Sequence, residues 1–291
     1  MKDPNSSLLN RRQFLKTGAA AAAACAAIHP GELLAAEGYG GHSVPIGVQL
    51  YPVRNLCAKD LPGTFASLSK MGYKAVEFAD YFDRTAPQLR KCLDDAGLKC
   101  CGNHLYLDDV QGDAFARTVE FNQVLGNSTI VIRWLPEKYI GTLQSWQRTA
   151  ALCNEAAEKL KPLGMRLAYH NHGFEFKPLP TGEIPFELFF RAAPEVAIQL
   201  DTGNAREAGG DPVKLLREFP GRVASLHVKP WSAKKPNALI GDDELDWKEI
   251  FQICESNDKL DWYIVEYEKD LYPPLEADQK TLEVFRKWGK C

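Results

Sequence analysis

From residue 46 onward, short apolar runs rich in branched residues recur at intervals of roughly 25 to 40 residues, the length of one strand and one helix. The runs are Ile46–Tyr51, Tyr73–Phe78, Leu98–Asn103, Thr129–Trp134, Met165–His170, Val196–Asp201, Val223–Val228 and Trp262–Tyr267. Between them lie stretches such as Leu61–Met71, Ala86–Ala96 and Leu143–Leu163, in which apolar residues fall three and four apart, as on one face of a helix. Gly72, Gly97 and Gly164 follow these stretches directly and predict their C-terminal caps, where the backbone turns left-handed. Eight strand-helix units predict an α/β fold, a single closed (β/α)8 TIM barrel over residues 44–290, with no linker or change of composition to divide it. The competing arrangement is an open doubly wound sheet. No Gly-x-Gly-x-x-Gly follows the first run, so a nucleotide cofactor is not expected. A Gly-x-x-x-x-Gly-Lys-Ser/Thr loop and a Gly-x-Ser-x-Gly elbow are absent as well.

The first 36 residues break the pattern. Arg11-Arg12-Gln13-Phe14-Leu15-Lys16 precedes a nearly unbroken alanine stretch, which resembles a twin-arginine-type signal peptide. This predicts bacterial export to the periplasm in the folded state, cleavage near Leu34-Ala35-Ala36, and no stable membrane span after processing. A lipid anchor on Cys25 and an alanine-rich helix of the mature fold are the alternatives.

Of the 291 residues, 45% are hydrophobic and 25% charged, with a net charge of -3. That composition buries a large core and supplies no field for nucleic acid or anionic lipid, so the expected partner is a small molecule. The eight cysteines, at positions 25, 57, 92, 100, 101, 153, 254 and 291, include no Cys-x-x-Cys pair. Free thiols are expected, one disulfide being the alternative in an oxidising compartment. Cys100 and Cys101 should face opposite sides of their strand.

A barrel of this kind builds its site at the C-terminal ends of its strands. There the last four runs carry His170, Asp201, His227 and Glu266. A single histidine at a strand end is ordinarily a hydrogen-bonded structural group, and Asp201 before Thr-Gly-Asn would serve as a turn cap. Four ligand-type residues on four consecutive strand ends instead predict a site of mixed nitrogen and oxygen donors for a divalent metal such as manganese, zinc, cobalt or magnesium. Around it, Glu77 ends the second run and His104 follows the third, both candidate substrate contacts. Glu175 lies on the loop after the fifth, as a substrate contact or a turn-stabilising acceptor. Arg54 and Arg133 near the first and fourth ends would bind a sugar oxygen or pair structurally. Lys229 would hold an oxyanion or neutralise Asp201 and Glu266. Tyr51, Trp134, Trp231 and Phe174 are candidates for stacking on a sugar face, or packing within loops.

The segments IGVQLYPVR, GYKAVEF, AYHNHGFEF, LDTGN, GRVASLHVKP, LDWKEIF and IVEYE cover residues 46 to 288 in order. Together they resemble the xylose isomerase-like barrel superfamily, in its sugar phosphate isomerase/epimerase branch, which also holds inosose dehydratases, 3-keto-glycoside lyases and endonuclease IV. The resemblance implies Asp201, His227 and Glu266 as metal ligands. It also exposes a departure, for His170 stands where many members have glutamate. That lowers the site's negative charge by one and tilts it toward zinc or cobalt and away from magnesium. The implied activity is a sugar isomerase or epimerase that removes a proton beside a carbonyl through an enediolate, with Glu266 or His172 as base. A lyase or dehydratase acting on keto-sugars or 3-keto-glycosides would use the same site, and a non-catalytic sugar-binding barrel is the alternative outside catalysis. The endonuclease reading fails for lack of ligands, since the chain has only six histidines, and for lack of a basic surface.

Overall fold

The computed structural model describes residues 44–256 and 259–291. The export segment, its cleavage site and Cys25 lie outside the described residues. The strands are β1 (Ile46–Gln49), β2 (Ala75–Phe78), β3 (Lys99–Tyr106), β4 (Thr129–Trp134), β5 (Arg166–His170), β6 (Ala197–Asp201), β7 (Val223–Val228) and β8 (Trp262–Val265). All pair in parallel and in sequence order, and β8 returns to β1, so the barrel closes. The open-sheet alternative is thereby set aside.

The helices on the outside begin with α1 (Arg54–Lys59), α2 (Leu61–Met71), α3 (Ala86–Ala96), α4 (Ala114–Leu125) and α5 (Leu143–Leu160). They continue with α6 (Pro185–Ala192), α7 (Thr202–Glu207), α8 (Pro212–Glu218), α9 (Trp247–Glu255) and α10 (Pro274–Lys287). Gly72 and Gly97 cap α2 and α3 at φ 118° and 66°, a region that a side chain would strain. The third expected helix stops at Leu160, and a short 3-10 turn over Lys161–Leu163 carries the chain to Gly164. The main core lies between sheet and helices, where Phe65, Trp146, Phe186, Phe189, Phe190 and Phe285 are buried. Each such ring contributes about 1.5–3 kcal/mol of burial free energy, so this shell holds the strands in register against thermal opening. Among the described residues no helix is long and apolar enough to cross a membrane.

Three strand ends differ from the sequence expectation, and each difference matters to the site. β1 stops at Gln49, leaving Tyr51 on the loop above it. β3 runs on to Tyr106, so His104 sits within the strand rather than after it. β8 stops at Val265, which places Glu266 one residue beyond. Between β2 and β3 the register slips, so that Val76 faces Cys100 but Glu77 faces Gly102. Cys101 is the extra residue of this bulge. As expected from alternation, Cys100 joins the outer core while Cys101 packs inside the barrel with Ala75 and Ile264. The seven described cysteines are free thiols.

Candidate metal centre and substrate pocket

At the C-terminal mouth, His170, Asp201, His227 and Glu266 are all buried, and one ligand atom from each lies within 4.8 Å of the others. The four residues expected from the strand ends therefore do converge. The arrangement of their second atoms explains how.

Asp201 ends β6, and its Oδ1 accepts from the Asn204 amide at 2.8 Å, capping α7. Its Oδ2 is buried and makes no hydrogen bond. That orphan stands 3.7 Å from His170 Nε2 and 3.5 Å from Lys229 Nζ. A buried carboxylate oxygen without a hydrogen bond costs free energy, which the Lys229 ammonium at this distance offsets and a closer cation would offset further. Burial, and then the charge of Glu266, push the Asp201 pKa up to about 7 against the pull of Lys229. Asn171 fixes the backbone here, its Oδ1 accepting from Asp201 N at 2.9 Å and its Nδ2 donating to Asp201 O at 3.1 Å.

Each histidine of the cluster has one nitrogen tied to an outer group and the other directed at the shared space. His170 Nδ1 lies 3.0 Å from Gln199 Oε1. Because a carboxamide oxygen only accepts, Nδ1 carries the proton and Nε2 keeps its lone pair toward Asp201. His227 Nε2 donates to Glu77 Oε2 at 2.7 Å, while Nδ1 faces Glu266 Oε2 at 3.0 Å. An imidazole oriented by an outer carboxylate or carbonyl is the usual preparation of a metal ligand. The donor set and the orphaned oxygen thus fit a divalent cation, with His170 Nε2, Asp201 Oδ2, His227 Nδ1 and Glu266 Oε2 to hold it.

Glu77 requires a correction. It is fully buried and does not line the cavity. Its Oε2 accepts from Gln49 Nε2 at 2.7 Å and from His104 and His227, and its Oε1 accepts from Gln199 Nε2 at 2.7 Å. Burial alone would raise its pKa, but the two imidazoles outweigh that and hold it below the usual carboxylate range. The same contact, against a burial that would lower it, raises His227 to about 10. Glu77 is a support under the imidazoles, since it is fully buried and held by Gln49, His104, Gln199 and His227 away from the cavity lining.

Glu175 takes the second of its two expected roles, the turn-stabilising acceptor. It is fully buried, accepts from Tyr169 Oη at 2.6 Å and His172 N at 3.0 Å, and so ties the loop after β5 rather than meeting a ligand. Arg54 turns outward, donating to Tyr51 O at 2.6 Å with its guanidinium over the Tyr51 ring, and is not part of the cavity wall. Trp231 is also outside that wall, under the guanidinium of Arg206.

The cavity above the cluster has a volume of about 460 Å³. His104, Arg133, Trp134, His170, His172 and Glu266 line it together with Lys229, whose Nζ also contacts Glu266 Oε2 at 3.4 Å and Glu268. His104 Nε2 is turned to Gln199 at 2.8 Å, so this ring belongs to both the support network and the wall. His172 is packed edge-on against Trp134 at 4.7 Å, and burial lowers its pKa to about 4, so it is neutral at pH 7. Sequence reasoning did not single out Gln49, Gln199, Tyr106, Asn204 or Glu268. Period-two alternation was the available signal for two of them, since Gln199 and Tyr106 lie two residues from Asp201 and His104 on the same strand face, whereas Glu268 lies beyond the end of β8.

A family model described as xylose isomerase-like TIM barrel matches residues 65–288. The chain belongs to that family. Residues 8–27 match the twin-arginine translocation pathway signal sequence. Among curated relatives of this xylose isomerase-like barrel, inosose dehydratase of Clostridium perfringens is 22% identical over 261 residues, covering 76% of the chain and 88% of the relative. Inosose dehydratase of Clostridium tetani is 28% identical over 155 residues, 46% of the chain, which spans about half (51%) of that relative. Among solved structures, a sugar phosphate isomerase/epimerase of Parabacteroides distasonis superposes with a TM-score of 0.71 at 25% identity, over 85% of the chain and 97% of that protein.

Proposed function

We propose that this barrel is an exported, metal-dependent enzyme that removes a proton from the carbon beside the carbonyl of a keto-sugar or cyclic keto-polyol and then expels an oxygen substituent from the next carbon. The observation that carries it is the convergence of two imidazole nitrogens and two carboxylate oxygens beneath the cavity, with Asp201 Oδ2 buried and without a hydrogen bond. A bound divalent ion, zinc or cobalt in preference to magnesium given the two imidazoles, would supply Lewis acidity toward the carbonyl oxygen.

The chain's own residues supply the rest. Glu266, at the wall of the cavity, accepts the proton. The electrons of the broken C–H bond form a carbon-carbon double bond as the neighbouring C–O bond breaks. Lys229, held between Asp201, Glu266 and Glu268, donates a hydrogen bond to oxygen bearing developing charge. His172 is uncharged at neutral pH and adds no second cation to this wall. With His170 in place of a glutamate, one cluster carboxylate, Glu266, lines the cavity, and a pair of opposed carboxylate bases for inversion at one carbon is not provided. The relatives named inosose dehydratase support elimination. Return of the proton to a neighbouring carbon, an isomerisation, is the second reading, favoured by the Parabacteroides distasonis neighbour. The signal match over residues 8–27 supports export, and a periplasmic location after removal of residues 1–36 is part of this reading and suits unphosphorylated substrates.

Incubating zinc- or manganese-loaded protein with ketoses, keto-inositols and 3-keto-glycosides in heavy water tests the proposal. Loss of water or aglycone is the expected result. Solvent deuterium beside the carbonyl without such loss would move the assignment to isomerase. Neither outcome, or no stoichiometric metal in protein purified without chelator, would overturn it.

A further inference from the structure

The cavity has two unlike walls. Lys229, Glu266 and Glu268 make the charged side at β7 and β8, whereas Tyr51, Tyr106 and Trp134 line the side formed by β1, β3 and β4. These three rings remain 36%, 47% and 42% exposed although most large apolar side chains of the barrel are buried. Exposed aromatic carbon gathered on one wall of a cavity marks a contact surface. The rings are also held in place before any ligand arrives. The Arg54 guanidinium lies 4.0 Å over Tyr51 and that of Arg133 lies 5.5 Å over Tyr106, while Trp134 is braced edge-on by His172 and by Phe174 at 5.0 Å. Tyr106 and Trp134 are register partners on adjacent strand ends. Arg133, also on this side, donates to Ala79 O at 2.9 Å and lies over the Tyr106 face, which fixes its position and leaves its other N–H groups for hydroxyls at the rim of a ligand.

The four residues that could hold the metal need none of this wall, because all of them come from β5 to β8 and the segment after it. A single pyranose against Glu266 and Lys229 leaves much of the 460 Å³ unfilled. A sugar ring presents C–H groups on its faces and hydroxyls at its rim, which matches an aromatic wall facing open solvent. We propose that Trp134 and Tyr106, with Tyr51, form a subsite for a second ring, and that the substrate is a glycoside whose keto-sugar lies at the cluster and whose second sugar stacks on this wall. The inference rests on the reading of the cluster as a keto-sugar site.

Calorimetric titration of the full, zinc-loaded chain with 3-keto-glucose, 3-keto-cellobiose and phenyl 3-keto-β-glucoside tests it. The disaccharide is expected to bind about tenfold more tightly than the monosaccharide, the size of a good stacked ring contact. In Tyr106→Ala and Trp134→Ala that ratio should fall close to one while monosaccharide affinity stays within about twofold, as expected of a contact made only by the second ring. Trp134 also braces His172, so Tyr106→Ala, on an exposed ring, is the variant that does not depend on that support. Equal affinity for one and two rings in the wild type, or an advantage that survives both substitutions, overturns the subsite while leaving the keto-sugar reading intact. An advantage confined to the phenyl glucoside overturns the second sugar as occupant. Binding of none of the three ligands removes the keto-sugar reading itself, and the subsite with it.

Discussion

At Asp201 the two carboxylate oxygens differ, one capping α7 and the other buried without a hydrogen bond, 3.5 Å from Lys229 Nζ. Because burial raises its pKa to about 7, metal binding near pH 6 should expel about one proton from this group, and none from it at pH 8.5. Calorimetry in buffers of different ionisation enthalpy measures that count, and Asp201→Asn should abolish the difference. The Glu77–His227 pair has the opposite sign on its two sides. Glu77 is held below its ordinary value of 4.5, so its contribution is present above that pH and lost as pH falls through the lowered value. His227 is raised from 6.5 to about 10, so its contribution is complete below 6.5 and lost as pH rises toward 10. Glu77→Gln should therefore destabilise metal-free protein by about 3–5 kcal/mol near pH 5.5 and by clearly less near pH 9.5, read from denaturant unfolding at each pH. At this scale the sequence showed which residue types end the strands, and the four that converge as a group able to hold a metal could be read from it. That Glu77 is a buried acceptor could not be read, because a carboxylate at a strand end carries no mark of what meets it across the barrel; for Glu175 the acceptor role was one of two that the sequence left open.

Along each strand the relevant unit is the residue two positions on. His104 and Tyr106 in β3, and Gln199 and Asp201 in β6, lie two apart on one strand face, and the same spacing runs past the ends of β7 and β8 to Lys229 and Glu268. The pattern of apolar runs revealed the strands, but their ends were blurred. His104 was placed after β3 because the apolar run fades at Asn103, yet ladder hydrogen bonds continue to Tyr106 opposite Trp134. The bulge at Cys101 was equally hidden, since a one-residue slip leaves composition unchanged. It sets Gly102 against Glu77, and a Cβ at Gly102 would lie 2.2 Å from Glu77 Oε1. Gly102→Ala should force Glu77 off the two imidazoles, lowering stability by about 2 kcal/mol and weakening zinc binding roughly tenfold, as thermal melting and chelator competition would show.

Closure of the barrel makes one site from segments far apart in the chain: His227 and Glu77, 150 residues apart, touch at 2.7 Å. Export belongs to this scale as well. Replacing Arg11 and Arg12 together by lysine should leave the protein in the cytoplasm, as fractionation of the source cells would show, because residues 8–27 are what the signal match rests on. By itself the sequence determined the order of strands and helices, the barrel, the export signal, and the side of the barrel on which imidazoles and carboxylates gather, because periodicity and strand-end position are properties of a local stretch. Only the tertiary structure decided which nitrogen of each histidine faces the cluster, that Asp201 Oδ2 is buried without a hydrogen bond, that Glu77 and Gln199 lie beneath the site, and that Arg54 points away. Those roles depend on distances across strands joined by parallel pairing, and a local pattern tells which face a side chain takes but not whom it meets there.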